Sequence, residues 1–416
     1  MLLSQEFESL KAAFKEQFGT RIDFLRDREV YGSALFKFLR SLPKGADLHA
    51  HCDAILPISE QVAFLKDHPE LVITPEWQIH YSGLGAPYGS KTMSELLSEG
   101  LTVEVFRHQW TVLGAGEQRT WDWFEGIFIK CGSICTTPSL VQDYYTRVLK
   151  HYHSIGVMHV ELRCPFFGTR EDALARGEAF LRALQSVRAE VDPSITLRIV
   201  ACAGKNDVWD PQFDTLMDNA MFVRESVHDG DEPLVVAIDI VNDEDRSFSL
   251  ARYEERVRKI IREHPGLHLT LHAGESLSGE NNEIAIALRC GIERLGHGFN
   301  LYRYPALEEE IRRKGICMEI CPVSNAALGY CADFAQHPAN LYRKSGIPLV
   351  VCSDDPAYQA DEPLTGDLLA VTVGWDLSLD EVRQLCRSSI EYSFLEPASK
   401  SRLLTQWEKA WQQATS

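Results

Sequence analysis

The chain has 416 residues, 45% of them hydrophobic and 25% charged, which is enough to bury one large core or two medium ones. Its 60 acidic and 42 basic residues leave a formal charge of -18; a nucleic acid or an anionic membrane would be repelled at long range, so a small neutral or cationic ligand is the expected partner. No stretch of about 18 apolar residues is available to span a bilayer, and the opening residues 1–8 lack the basic and apolar parts of a secretion signal, so a cytoplasmic protein is expected.

In chain order, Phe7, Leu10, Phe14 and Phe18 recur at helical spacing and are followed by an apolar group at Leu35, Phe36, Phe38 and Leu39. Residues 1–42 therefore read as an amino-terminal helical arm. Its apolar stripe needs a cover, either the main body or the same helices of a second copy in a homodimer.

From residue 43 to 416 the rhythm changes, and short β-rich runs alternate with amphipathic helices. The runs fall at 46–50, 157–164, 196–203, 234–241, 267–273, 294–297, 316–321 and 348–353. That is the number a (β/α)8 TIM barrel requires. Gly156, Gly266, Gly291, Gly315 and Gly346 each stand between a helical segment and a run, where a left-handed residue ends the helix. A doubly wound open sheet alternates in the same way; the count favours the barrel. The crossover after the first run is oversized, and a rim insertion at about 58–150 is predicted to act as a lid or pocket wall. It carries a Gly- and Pro-containing stretch at 82–90 and an aromatic helix at 120–134. The 11 cysteines are scattered, with no zinc-ribbon spacing, and are expected to be reduced; Cys131 and Cys135 would sit one turn apart on a helix as small buried hydrophobes.

The first run reads Asp-Leu-His-Ala-His-Cys-Asp and places His49, His51 and Asp53 two apart, on one side of a strand. Two imidazoles so placed can share a metal, although two buried histidines with separate partners is the blander reading of an isolated pair. The fifth run, however, ends in His272 and Glu275, the sixth in His297 between two glycines, and the eighth in Asp354 and Asp355. Four segments thus end in groups that bind metals or move protons, at the face where barrels keep their active sites. His268, deeper in the fifth run, reads as a packed residue or a bottom-layer hydrogen-bond partner. His49, His51, His272 and Asp354 can supply imidazole and carboxylate donors to one zinc ion per chain, with a position left for water at a pKa near ~7. Asp355 is left to face the substrate; a helix cap before Pro356 is its bland alternative. Glu275 can donate a proton and His297 can accept one.

The motifs Leu-Pro-Lys-Gly-Ala-Asp-Leu-His-Ala-His, His-Ala-Gly-Glu, Gly-His-Gly, Cys-Pro-Val-Ser-Asn (321–325) and Ser-Asp-Asp-Pro occur in the order found in the adenosine deaminase family, which this chain resembles over about 42–395. The aromatic stretch 121–125 resembles the growth-factor-type members, which are usually secreted; without a signal, the catalytic barrel is carried over and the export is not. The resemblance implies zinc held by His49, His51, His272 and Asp354, with Glu275 protonating purine N1. By the same resemblance His297 manages the attacking water at C6, Asp355 bonds N7, and Asp53 reaches the sugar. Trp123, Phe124 and Glu125 would wall the pocket or touch the ribose, with a buried helix face as the alternative. Where the family has a glycine meeting purine N3, this chain has Asn242, which tolerates the same backbone but adds a side chain. Cys52 adds a thiol of unassigned role. The implied reaction is deamination of adenosine or deoxyadenosine. The alternatives are another aminopurine (adenine, a 5′-modified adenosine or AMP, disfavoured for want of a phosphate-binding cluster) and a non-catalytic barrel scaffold.

Overall fold

In the computed structural model, residues 2–116, 120–278 and 281–416 are described. One sheet of eight strands carries the molecule: β1 (Gly45–His51), β2 (Val157–Cys164), β3 (Thr196–Gly204), β4 (Val235–Val241), β5 (His268–Ala273), β6 (Arg294–His297), β7 (Cys317–Ile320) and β8 (Leu349–Val351). Each strand pairs in parallel with the next in sequence. A parallel bridge between Ala50 and Asp354 joins the last to the first, with the Asp354 amide donating to His49 O at 2.8 Å and the His51 amide to Asp354 O at 3.0 Å. The fold is the α/β TIM barrel that the alternation predicts. All five glycines at the helix-to-strand joints have positive φ, between 67° at Gly315 and 89° at Gly291, which is the conformation that ends a helix and redirects the chain.

The arm forms helices Leu2–Phe18 and Ala34–Ser41 and lies on its own barrel. Phe7 and Phe14 are buried, the Phe7 and Phe38 rings are 5.6 Å apart, and Lys11 Nζ donates to Leu377 O at 2.8 Å. The chain itself thus covers Phe7 and Phe14, while Leu10 and Phe18 of the same stripe stay half-buried.

Between β1 and β2 the chain adds a helix (Ile58–Asp67), a small antiparallel sheet (Leu71–Ile73, Ile79–Tyr81, Lys91–Thr92) and the helices Met93–Ser98, Val103–Trp110 and Thr120–Cys131. The crossover helix Pro138–Ser154 follows. The aromatic helix is shorter than the predicted 120–134. It ends at Cys131, and Cys135 closes the 3-10 turn that follows. All 11 cysteines are buried free thiols, and no helix among the described residues is long and apolar enough to cross a membrane.

Candidate active site

The register between β1 and β2 slips between Asp47 and Ala50, and this bulge re-aims the strand. Asp47 faces the crossover helix, where its carboxylate accepts from Tyr152 Oη at 3.0 Å; His49 and His51 face the barrel interior instead. There, ligand atoms of His49, His51, His272 and Asp354 all come within 4.8 Å of one another. Asp354 Oδ1 lies 3.2 Å from His51 Nε2 and 3.5 Å from His49 Nε2.

The tautomers show what this group is built to hold. His49 Nδ1 lies 2.8 Å from Glu319 Oε2 and His272 Nδ1 lies 2.8 Å from Asp239 Oδ2. Burial alone would raise both carboxyls, but Arg163 and Arg294 hold Glu319 well below the usual range, and His272 and Arg163 hold Asp239 there too. An ionised carboxylate only accepts, so each Nδ1 carries the proton and each Nε2 offers a lone pair. Those two Nε2 atoms face each other at 3.1 Å. Two lone pairs at that separation repel unless a proton or a metal ion is shared between them. Against its burial, Asp354 and Glu319 favour the charged form of His49, so without a metal a proton can fill that place; three imidazoles with one carboxylate suit zinc.

A cavity of about 370 Å³ opens on this group and is lined by Glu275, His297, Asp355, Asp53, Phe124, Glu125 and Asn242, among others. Burial, reinforced by the nearby Asp354 charge, pushes the carboxyls of Glu275 and Asp355 well up, which favours their protonated forms. Asp355 Oδ1 is buried and has no partner. Burial drives His297 well below the ordinary imidazole range, which leaves it neutral; its Nδ1 lies 3.6 Å from Glu275 Oε1, and its φ of 61° is one that glycine adopts more readily.

Asn242 has φ of 103°, a glycine-like backbone, and its side chain is engaged on both sides. Oδ1 accepts from the Lys205 amide at 3.0 Å, while Nδ2 reaches Glu125 Oε1 at 3.4 Å. Three tyrosine hydroxyls hold the turn after β1: Tyr144 and Tyr358 donate to Asp53 O at 3.2 and 3.0 Å, and Tyr145 donates to Cys52 O at 2.8 Å. Cys52 lines the cavity with its Sγ 2.5 Å from Asp53 Oδ1. Trp123 corrects the predicted wall. It does not line the cavity; its indole donates to Thr111 O at 2.9 Å, and Lys130 Nζ sits 3.9 Å above its ring. The helix turns Trp121, Phe124, Glu125 and Phe128 inward at i, i+3, i+4 and i+7, a face that residue 123 does not share. His268, at the start of β5, pairs with Glu293 at 2.9 Å and stacks on Phe394, a bottom-layer partner far from the ligand group.

Four residues that the motifs did not single out support the site. Asp239 and Glu319 orient the histidines, and Arg163 bridges the two carboxylates. Glu244 accepts from the Gly274 and Glu275 amides at 2.9 and 3.0 Å and so fixes the turn that carries Glu275. The first two had a signal in the sequence: each is a single charge inside an apolar strand run, where an unpaired charge would be costly.

A parallel barrel that gathers metal donors at its strand ends, beside buried carboxyls and a buried imidazole in one cavity, has the architecture of a metal-dependent hydrolase. The profile of the adenosine deaminase family matches residues 108–410. Adenosine deaminase 2 of Dictyostelium discoideum is 26% identical over 409 residues, covering 91% of this chain and 74% of its own length. The apo structure of the N6-methyl-AMP deaminase from Arabidopsis thaliana has a TM-score of 0.68 at 19% identity, covering 91% of this chain and 99% of that one. Adenine deaminase from Arthrobacter aurescens gives 0.62 at 20% identity, covering 89% and 99%. The chain belongs to the adenosine deaminase family, and it is an aminopurine deaminase of that family.

Proposed function

We propose that this chain hydrolyses the 6-amino group of adenosine or deoxyadenosine, with one zinc ion held by His49, His51, His272 and Asp354. Bound there, zinc supplies the Lewis acidity that makes water nucleophilic near neutral pH. The chain's own groups supply the proton transfers. Glu275, kept protonated by burial, gives its proton to purine N1, which turns C6 into an electrophile as water adds to it. His297, neutral and without a partner at Nδ1, takes the proton that the water loses. His297 passes that proton to the amino group, which leaves as ammonia; the proton of the added hydroxyl returns to Glu275, and the 6-oxo purine remains.

The observation that carries this reading is a second buried carboxyl in the same cavity, that of Asp355, whose Oδ1 has no partner. Purine N7 only accepts, so the group meeting it must hold a proton, and burial pushes the Asp355 carboxyl in that direction. Asp53 supports the sugar assignment because it lines the cavity while its carbonyl is pinned by two tyrosines. The test is Glu275→Gln, expected to keep its metal while turnover of adenosine falls by about 10²-fold or more. Full turnover in that variant would remove Glu275 from the chemistry.

A second reading has one observation in its favour. Arg176 also lines the cavity, and one guanidinium is a donor for a 5′-phosphate. A panel of adenosine, deoxyadenosine, adenine and AMP separates the two, with the nucleosides expected to give the highest kcat/KM because one guanidinium, already donating to Cys135 O at 3.2 Å, leaves a phosphate dianion poorly paired.

A further inference from the structure

The Cys-Pro-Val-Ser-Asn motif contributes no ligand to the metal group, yet its last residue reaches the proposed proton donor. Asn325 sits on the short helix Pro322–Ala327 after β7, buried, and its Nδ2 lies 3.4 Å from Glu275 Oε1. Behind it, His337 Nε2 lies 3.1 Å from Asn325 Oδ1. The direction of this chain is fixed from its far end. The Ala339 amide donates to His337 Nδ1 at 3.2 Å, and an amide N–H cannot do otherwise. Nδ1 is therefore an acceptor, Nε2 carries the proton and donates to Asn325 Oδ1, and the amide must present its NH2 group to Glu275. His337 is buried, which brings it down to about 3, so it stays neutral and this polarity does not reverse near neutral pH.

We propose that Asn325, oriented by His337, is a positioning residue that selects which oxygen of the Glu275 carboxyl carries the proton. This rests on the proposed role of Glu275 as the acid. A protonated carboxyl has one oxygen that accepts and one that donates. An NH2 group facing Oε1 requires Oε1 to be the acceptor, so the transferable proton sits on Oε2. Without the relay, the proton can sit on either oxygen of the carboxyl and both of its flips are open. Only one of them aims a proton at the purine, so an enzyme lacking the relay loses turnover more than binding.

The test uses the full zinc-loaded chain with adenosine as the probe. Asn325→Asp keeps the shape but replaces the NH2 group by an acceptor. It is expected to lower kcat by about 10-fold or more while KM moves less than about threefold and the metal stays bound. His337→Leu should show the same split to a smaller degree, and His337→Gln, whose amide N–H can still donate to Asn325, should recover most of the loss. A merely structural role would move stability and metal content without that rescue. Two results overturn the proposal: kcat within about twofold of the parent in both Asn325→Asp and His337→Leu, or no advantage of Gln over Leu at 337. Glu275→Gln in the same series separates the two layers of argument. If it alone is impaired, only the relay falls; if it too retains full turnover, the acid assignment falls and the relay with it.

Discussion

In His49 and His272 a carboxylate on the far side of the ring holds the proton on Nδ1 and so turns Nε2 toward the metal group. Asp239 shows the design most fully, because all of its acceptor capacity is in use. Oδ1 takes the His272 amide at 2.9 Å and the Ile240 amide at 2.7 Å; Oδ2 takes His272 Nδ1 and Arg163 Nε, each at 2.8 Å. Asp239→Asn keeps the shape but offers an NH2 group where an acceptor is needed, so His272 must shift its proton or turn its ring. Metal affinity is expected to fall by about 10–100-fold. Competition against a chelator measures it, and an unchanged affinity would mean that this carboxylate does not set the ligand. At this scale the sequence was legible where a residue's role could be read from its position at a strand end. His49, His51, His272 and Asp354 meet as that position predicts. Asp239 and Glu319 escaped because their roles depend on which strand lies opposite, and that is a property of the closed ring. Trp123 was misplaced for a simpler reason: three consecutive residues cannot share one face of a helix.

Among the elements, the strands were the most legible, because glycine with positive φ marks the start of five of them and β-rich composition marks their length. The arm was legible as a helix, but not as to what it touches. An amphipathic stripe records that a cover exists, not which chain provides it. The structure has Lys11 and Lys15 reaching the 376–377 turn of the same chain, with Phe7 fully buried between them and the second arm helix. Phe7→Ala should therefore destabilise the monomer by about 3 kcal/mol, through lost burial and the cavity left behind. Urea denaturation reads that change, and it should not depend on protein concentration. A concentration-dependent loss, with subunits separating in sedimentation, would put the stripe between two chains instead.

Across the whole molecule, the barrel holds charge at its centre where a hydrocarbon core is usual. Arg294 donates to Glu319 at 2.7 Å, to Glu161 at 2.5 Å and to Tyr392 O at 2.8 Å, and its guanidinium lies 3.6 Å from the Phe394 ring centroid. With Arg163, this network reaches up to the carboxylates that aim the metal-binding histidines, so the lower barrel and the site are one electrostatic unit. Its stability must depend on acid in a definite window. Burial would raise the Glu161 carboxyl, but Arg294 and His159 outweigh it and bring it down to about 2. In the unfolded chain the same group titrates near ~4.3. Above that value both states are ionised and the contribution is complete. Between it and about 2 the unfolded chain binds the proton first, so stability falls as pH falls, by on the order of 3 kcal/mol for this one group. Glu161→Gln isolates the effect, because losses common to both chains, including release of metal from protonated histidines, cancel in the difference. The gap in unfolding free energy between parent and variant should be constant from pH 7 to 5 and narrow below about 4.3. A gap that stays constant down to pH 3 would show that Glu161 is not held ionised by its arginine, and that the barrel's centre is a set of neutral hydrogen bonds rather than an ion network.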